Sequence, residues 1–183
     1  MKYLLTLIFT TATCALFAQW TELTTGTTNH LNAVQFVNEN IGFSIGDNGT
    51  FLKTADGGEN WTVQSLSSAE QFKGMYFVNS GTGFICSNNH LYQTTDGGEN
   101  FTEMTSMLMT ASAPSEPMHQ IRIFFNGDVG IITALWAPVT VVALKTDDGG
   151  ASWSEFTVPV AGTGFGDVNY SIVNSSTVYA VKK

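Results

Sequence analysis

The sequence predicts an all-β protein assembled from four-stranded antiparallel meanders, and three observations predict it. The stretch TADGGENW at residues 54–61 returns as TTDGGENF at 94–101 and as TDDGGASW at 146–153. A second likeness stands upstream, where Phe77, Val78, Asn79, Gly83 and Phe84 fall on Phe36, Val37, Asn38, Gly42 and Phe43. Each unit also divides into short runs of strand-forming residues separated by Asn, Asp and Gly.

The elements follow in chain order. Lys2 gives a positive start, an apolar run of fifteen residues extends from Leu4 to Ala18, and small Ala18 precedes Gln19. This is the pattern of a secretory signal peptide over residues 1–18 and implies a periplasmic, cell-surface or extracellular protein. The run is shorter than the ~20 residues of a spanning helix, so no membrane span is expected. Thr11, Ala12 and Thr13 before Cys14 make a poor lipid-attachment context.

The first unit, about 31–66, places strands at about 31–37, 41–46, 50–55 and 61–65, separated by NEN, DNG and DGGEN. Asn48 and Gly49 tolerate the positive φ of a tight primed hairpin turn. The second unit covers about 72–107, and the third, about 118–160, sets Phe125, Asn126 and Gly130 on the same template. A partial fourth, 168–183, offers Val173 and Asn174 in template positions and strands at about 168–173 and 177–181. QWTEL at 19–23 resembles the wording from the acidic turn into a fourth strand and fits the outer strand of a closing blade. A meander of this length cannot bury both faces alone, and four-stranded units at this period stack radially as β-propeller blades. Three complete blades and part of a fourth make an open or incomplete propeller. Either further blades lie beyond Lys183 or the arc completes itself by self-association.

Composition removes several function classes. Without residues 1–18, six Lys plus Arg face fifteen Asp plus Glu, a net charge of −9, with Arg122 the sole arginine. Such a surface repels phosphate backbones, so no nucleic-acid partner is expected. Cys86 is then the one cysteine, and stability must come from packing rather than disulfides. His30, His90 and His119 occupy unrelated template positions without ligand spacing, so neither a metal site nor a cofactor is expected.

The pattern T-x-D-G-G-x-x-W, with Phe101 in the second copy, together with VQFVNxxxGF and GTFLKT, resembles the Asp-box or BNR repeat family. The likeness extends over nearly the whole chain after the leader and is greatest to photosystem II assembly and stability factors and to sortilin-type propellers. It implies the fold and leaves the function open, because sialidases, xyloglucan hydrolases, sorting receptors and assembly factors share such blades. It also implies that the box turns lie on the face away from the usual ligand site.

The boxes themselves read as structure. Asp56, Asp96 and Asp148 sit where they accept hydrogen bonds from backbone N–H groups of their own turns. Gly57 and Gly58, Gly97 and Gly98, and Gly149 and Gly150 permit the positive φ these turns need. Trp61, Phe101 and Trp153 then supply a large ring at the start of the fourth strand. Three copies set a blade apart cannot converge on one substrate.

Function is sought where the repeat is broken. Consecutive boxes are 40 and then 52 residues apart, and the additional length falls in the connection 105–120 and in the hairpin end LWAPV, 135–139. Unequal loops on equal blades are the place for recognition. Trp136 is a stacking platform for a sugar or protein, or folds back over its own blade. Met107 and Met109 offer an adaptable apolar contact, or pack on the propeller edge. Arg122 points into the central channel or pairs with Asp128.

With one arginine the chain cannot form the three-arginine carboxylate clamp that a sialidase resemblance would require. A xyloglucan-type hydrolase needs two opposed carboxylates, and no spacing singles out a pair among Asp47, Glu70, Glu116, Asp128 and Asp167. The reading that asks least is a secreted, non-catalytic binding or scaffold module for an unknown protein or glycan. A glycoside hydrolase other than a sialidase, or a purely structural section of a larger surface protein, stands as the alternative.

Overall fold

The structure, a computed structural model, describes residues 22–66, 70–109, 118–136, 140–155 and 168–182, with backbone alone at 118, 119, 136, 140, 168, 169 and 182. The leader, residues 19–21 of QWTEL, Glu116, the hairpin tip 137–139, Asp167 and Lys183 lie outside the described residues.

The first sheet runs β1 (Leu31–Phe36), β2 (Gly42–Gly46), β3 (Thr50–Thr54) and β4 (Thr62–Ser65). The second runs β5 (Gly74–Phe77), β6 (Gly83–Cys86), β7 (Leu91–Thr94) and β8 (Thr102–Glu103). The third runs β9 (Met118–Asn126), β10 (Val129–Trp136), β11 (Thr140–Thr146) and β12 (Ser154–Glu155). Each is a four-stranded antiparallel meander in chain order, and β13 (Val168–Asn174) with β14 (Thr177–Lys182) makes a two-stranded fourth sheet. The first three are blades 1, 2 and 3, and among the described residues the sheets do not close into a ring.

Local chemistry explains the turns. Asn48 and Gly49 both take positive φ, 56° and 67°, as the β2–β3 hairpin requires. Between the first and second strands of a blade, an asparagine closes the turn with its side chain. Asn38 Oδ1 accepts from the N–H of Asn40 and Ile41 at 2.9 and 2.8 Å, and Asn79 Oδ1 does the same for Gly81 and Thr82. The Gly-Phe pair of the repeat has a steric cause. Phe36, Phe77 and Phe125 face Gly42, Gly83 and Gly130 across the first two strands, and a Cβ at those glycines would lie 2.7, 2.5 and 2.3 Å from the ring.

The core lies between blades rather than within them. One cluster joins Phe43, Ile45 and Phe51 of blade 1 to Phe77 and Ile85 of blade 2, with Phe72 from the connection. The other joins Cys86 and Leu91 of blade 2 to Ile121, Ile132, Val142 and Leu144 of blade 3, with Leu108 from a single 3-10 turn, Thr105–Leu108. A polar staple adds register at the first boundary: the Gln35 amide donates to the Phe77 carbonyl at 2.9 Å and accepts its N–H at 2.8 Å.

Blade 3 departs from the other two. Its middle strands pair at seven positions, from Gly130↔Thr146 to Trp136↔Thr140, against four for β2 and β3. Three further pairs at strand rise lift this hairpin by ~10 Å. The longer interval between boxes is therefore taken up in part by strand: Leu135 and Trp136 continue β10 instead of forming the loop the sequence suggested.

Candidate functional site

The three acidic turns have one geometry. Asp56 accepts the Asn60 N–H at 2.9 Å and the Asn60 side-chain amide at 2.8 Å, and the Thr54 hydroxyl donates to it at 2.7 Å. Asp96 repeats this with Asn100 and Thr94, and Asp148 with Ser152 and Thr146. The threonine hydroxyl in turn accepts the N–H of Gly58, Gly98 or Gly150, at 3.0, 2.9 and 2.8 Å. All six box glycines have positive φ. The preceding glycines, Gly57, Gly97 and Gly149, each donate at 2.8 Å to a carbonyl in the first hairpin of the same blade. Hydrogen bonds to the carboxylate, led by those from Asn60, Asn100 and the Ser152 hydroxyl, hold all three aspartates at about 2 against an ordinary value of 3.8. These carboxylates are committed to their own turns. Among the described residues no group of three His, Cys, Asp or Glu could hold a metal.

The box rings reach further than their own blade. Phe101 meets Phe51 of blade 1 edge-on at 5.1 Å, and Trp153 meets Phe84 of blade 2 at 5.6 Å. The second box glycine makes room for the incoming ring, since a Cβ at Gly98 or Gly150 would lie 2.4 Å from Phe51 or 2.2 Å from Phe84. This contact between neighbouring units has no local signature in the sequence.

The opposite end of the blades holds a different environment. A groove of about 400 Å³ opens between blades 2 and 3, lined by Lys73, Asn88, Gln120, Arg122 and Phe124 among others. Lys73 leads into β5, Asn88 sits in the β6–β7 turn, and the rest come from β9. The Asn88 carbonyl accepts the Ile121 N–H at 3.2 Å, which ties the two walls together. Gln120 has φ 55°, rare for a residue with a Cβ, at a register shift where Thr133 pairs Arg122 but Leu135 pairs His119. This bulge turns β9 toward the groove, at a conformational cost of order 1–3 kcal/mol. Lys73 lies 3.5 Å from Asp47, whose carboxyl is held below its usual range chiefly by the Asn32 amide, at 2.8 Å, and also by Lys73. A wider hollow along Glu22–Asn29 is bounded by that single segment, so it brings no separate elements together.

The candidates named from the sequence separate. Arg122 lines the groove, while Asp128 occupies the turn beyond the far end of β9, four strand positions or ~13 Å further on. The structure therefore does not place the two as a pair. Met107 packs half-buried against the core between blades 2 and 3, its neighbour Leu108 is fully buried, and Met109 is exposed. Trp136 ends β10 opposite Thr140, and its side chain lies outside the described residues. Lys73, Asn88 and Gln120 were missed, because a lysine, an asparagine in a turn and a strand glutamine carry no motif. The structural role of Thr54, Thr94 and Thr146 was legible in principle: a hydroxyl stands two residues before every box aspartate.

Repeated turns locked by a Thr–Asp–Asn/Ser network, with the box rings Phe101 and Trp153 seated on the preceding blade, define an array of Asp-box β-propeller blades. The chain is built of BNR-type propeller repeats and is photosystem II assembly factor-like. The family described as photosynthesis system II assembly factor YCF48 matches residues 12–78. The photosystem II assembly lipoprotein Ycf48 of Synechococcus sp. (strain CC9902) is 30% identical over 133 residues, covering 70% of this chain and 37% of that protein. Two solved structures share the fold: YCF48 bound to D1 peptide, at TM-score 0.51 and 23% identity, and YCF48 from Cyanidioschyzon merolae, at 0.52 and 20%. Each match covers 75% of this chain and 42% or 40% of the other. The chain thus spans about two fifths of the length of these relatives.

Proposed function

We propose that the chain is a non-catalytic module, exported from the cytoplasm, that holds an extended segment of a partner protein in the groove between blades 2 and 3. The observation that carries this reading is the groove itself: two cations and two amides converge on the side away from the boxes, beside a backbone bulge. Amide and guanidinium groups suit the carbonyls and carboxylates of a peptide. The described lining holds no carboxylate pair of the kind glycoside hydrolysis requires, which favours binding over that alternative. The leader pattern at residues 1–18 supports export. A structure of similar fold is described as YCF48 bound to D1 peptide, which supports a peptide as the class of ligand.

The test is a library of fluorescent peptides, with free or amidated carboxyl termini, titrated against the chain by polarisation. Arg122→Glu and Lys73→Glu are expected to weaken any selected peptide at least tenfold, while Glu59→Lys in the first box turn leaves it unchanged. Equal binding by all three variants, or no peptide retained by the parent chain, would remove the groove from consideration.

A further inference from the structure

Three template positions meet where one sheet follows another, and the strand register identifies them. Three residues before the phenylalanines that face glycine, Ala33 pairs Ile45, Gly74 pairs Cys86, and, in blade 3, Arg122 pairs Thr133. The first two pairs are presented to the following blade: Ile45 packs with Phe77 and Ile85, and Cys86 with Ile121 and Ile132. The following blade answers with Met75 at the first boundary and Ile123 at the second, both packed against those clusters. In β10 the side chains of Ile132 and Ala134 face blade 2, so Thr133 between them faces the fourth sheet, and its partner Arg122 with it. On that sheet Ile172 pairs Val178 as Phe36 pairs Gly42, so the answering residue is Tyr170.

Two boundaries thus bring together Ala33, Ile45 and Met75, or Gly74, Cys86 and Ile123, all small or apolar. The third brings together Arg122, Thr133 and Tyr170. A guanidinium and two hydroxyls stand where the repeat elsewhere builds core, and the guanidinium is that of the sole arginine. Giving up apolar contact at all three positions costs stability, and such local departures from a consistent pattern mark functional sites.

The three groups line a hollow of about 30 Å³ together with Gln120, Leu135 and Val141. Leu135 and Val141 form one of the three strand pairs that blade 3 adds to the pattern of blade 1, so the longer hairpin supplies an apolar wall. Thr133 is 7% exposed, and Tyr170 meets Phe124 at 5.0 Å, which holds its ring beside β9. Burial raises the Tyr170 phenol above its ordinary value against the pull of the Arg122 charge, so the hydroxyl keeps its proton. A space of this size admits one small polar group.

We propose that this hollow receives a carboxylate of the segment held in the groove, with the Arg122 guanidinium and the Thr133 and Tyr170 hydroxyls as its donors. The inference rests on the groove reading, because Gln120 and Arg122 line both spaces and a segment in the groove reaches the hollow across β9. A cation flanked by hydroxyl donors, with no carboxylate among the described lining, is matched to an anion. Behind an apolar wall those hydrogen bonds are stronger than they would be in water.

The experiment is polarisation with fluorescent peptides made in pairs, where one Asp or Glu is replaced by Asn or Gln, or a free carboxyl terminus by an amide. One such replacement is expected to weaken binding to the parent chain at least tenfold, and its position shows whether the carboxylate is a side chain or a terminus. Thr133→Val and Tyr170→Phe, which touch the hollow and not the groove, are expected to cut that preference to threefold or less while the neutral peptide binds as before. Thr133→Ser keeps the hydroxyl and should keep the preference, and circular dichroism checks the fold of each variant. Lys73→Glu, which touches the groove alone, should weaken both members of a pair. Peptides that Lys73→Glu weakens but that show no carboxylate preference, or a preference that survives both hydroxyl variants, overturn this inference and leave the groove reading standing. A parent chain that binds no peptide overturns both.

Discussion

Replacing Phe43 by alanine tests whether stability resides between the blades. The ring is fully buried and lies flat on Phe77 at 3.6 Å, with Phe51 beside the pair at 6.0 Å from Phe43 and 6.2 Å from Phe77. Truncating a buried phenylalanine leaves a cavity and costs ~3–5 kcal/mol. With a urea dependence of ~2 kcal/mol per molar, the unfolding midpoint falls by ~1.5–2.5 M. The control is Phe36→Ala, the same chemical change on a residue that is 44% exposed on the outer face of blade 1. Half of that ring is already in water, so the loss is ~1 kcal/mol and the midpoint shift ~0.5 M. Both are measured by fluorescence and circular dichroism, dilute enough that single chains are observed. Equal shifts for the two variants would refute the argument, since burial within one sheet would then matter as much as stacking between sheets.

Three further outcomes follow from the same contacts. The Asp56, Asp96 and Asp148 carboxyls are held at about 2, below the ordinary 3.8, so their contribution is complete above pH ~4 and is lost as pH falls toward 2. Urea midpoints measured against pH should therefore drop over that interval, and Asp96→Asn should lower the neutral plateau while flattening the acid limb. Burial pushes the Cys86 thiol up to about 12, so a disulfide reagent at pH 8 should label it only as fast as the protein unfolds. A double-mutant cycle between Phe84→Leu and Trp153→Leu should give a coupling of ~0.5–1.5 kcal/mol, whereas the same cycle between Phe84 and Trp61 should give none.

The strands and the acidic turns were legible because both depend on short-range chemistry. β1 to β4 fall within one residue of the runs read at about 31–37, 41–46, 50–55 and 61–65, and Asn48–Gly49 turned as its φ tolerance required. The partners of the rings were not legible. Phe84 and Trp153 are 69 residues apart, and a local pattern records that each ring is present without recording what it meets. The groove escaped for a related reason. Lys73, Asn88 and Gln120 converge only because two neighbouring sheets bring their ends together, and the bulge at Gln120 is a fact of register between β9 and β10.

A repeat that satisfies its own polar groups leaves little for recognition. Every box aspartate is saturated by its own turn, so multiplying the turn multiplies rigidity and adds no convergent chemistry. Specific contacts must then come from positions where one unit differs from the others, and blade 3 concentrates such differences. Its hairpin is three pairs longer, its first strand takes a positive φ at Gln120, and Asn126 donates to the Ile172 carbonyl at 2.9 Å, in the template position where Asn38 and Asn79 cap their own turns. The same side chain that closes a turn in two blades thus holds the fourth sheet against the third. Loops at the groove end of the blades can change without disturbing the boxes, because the box hydrogen bonds lie at the other end.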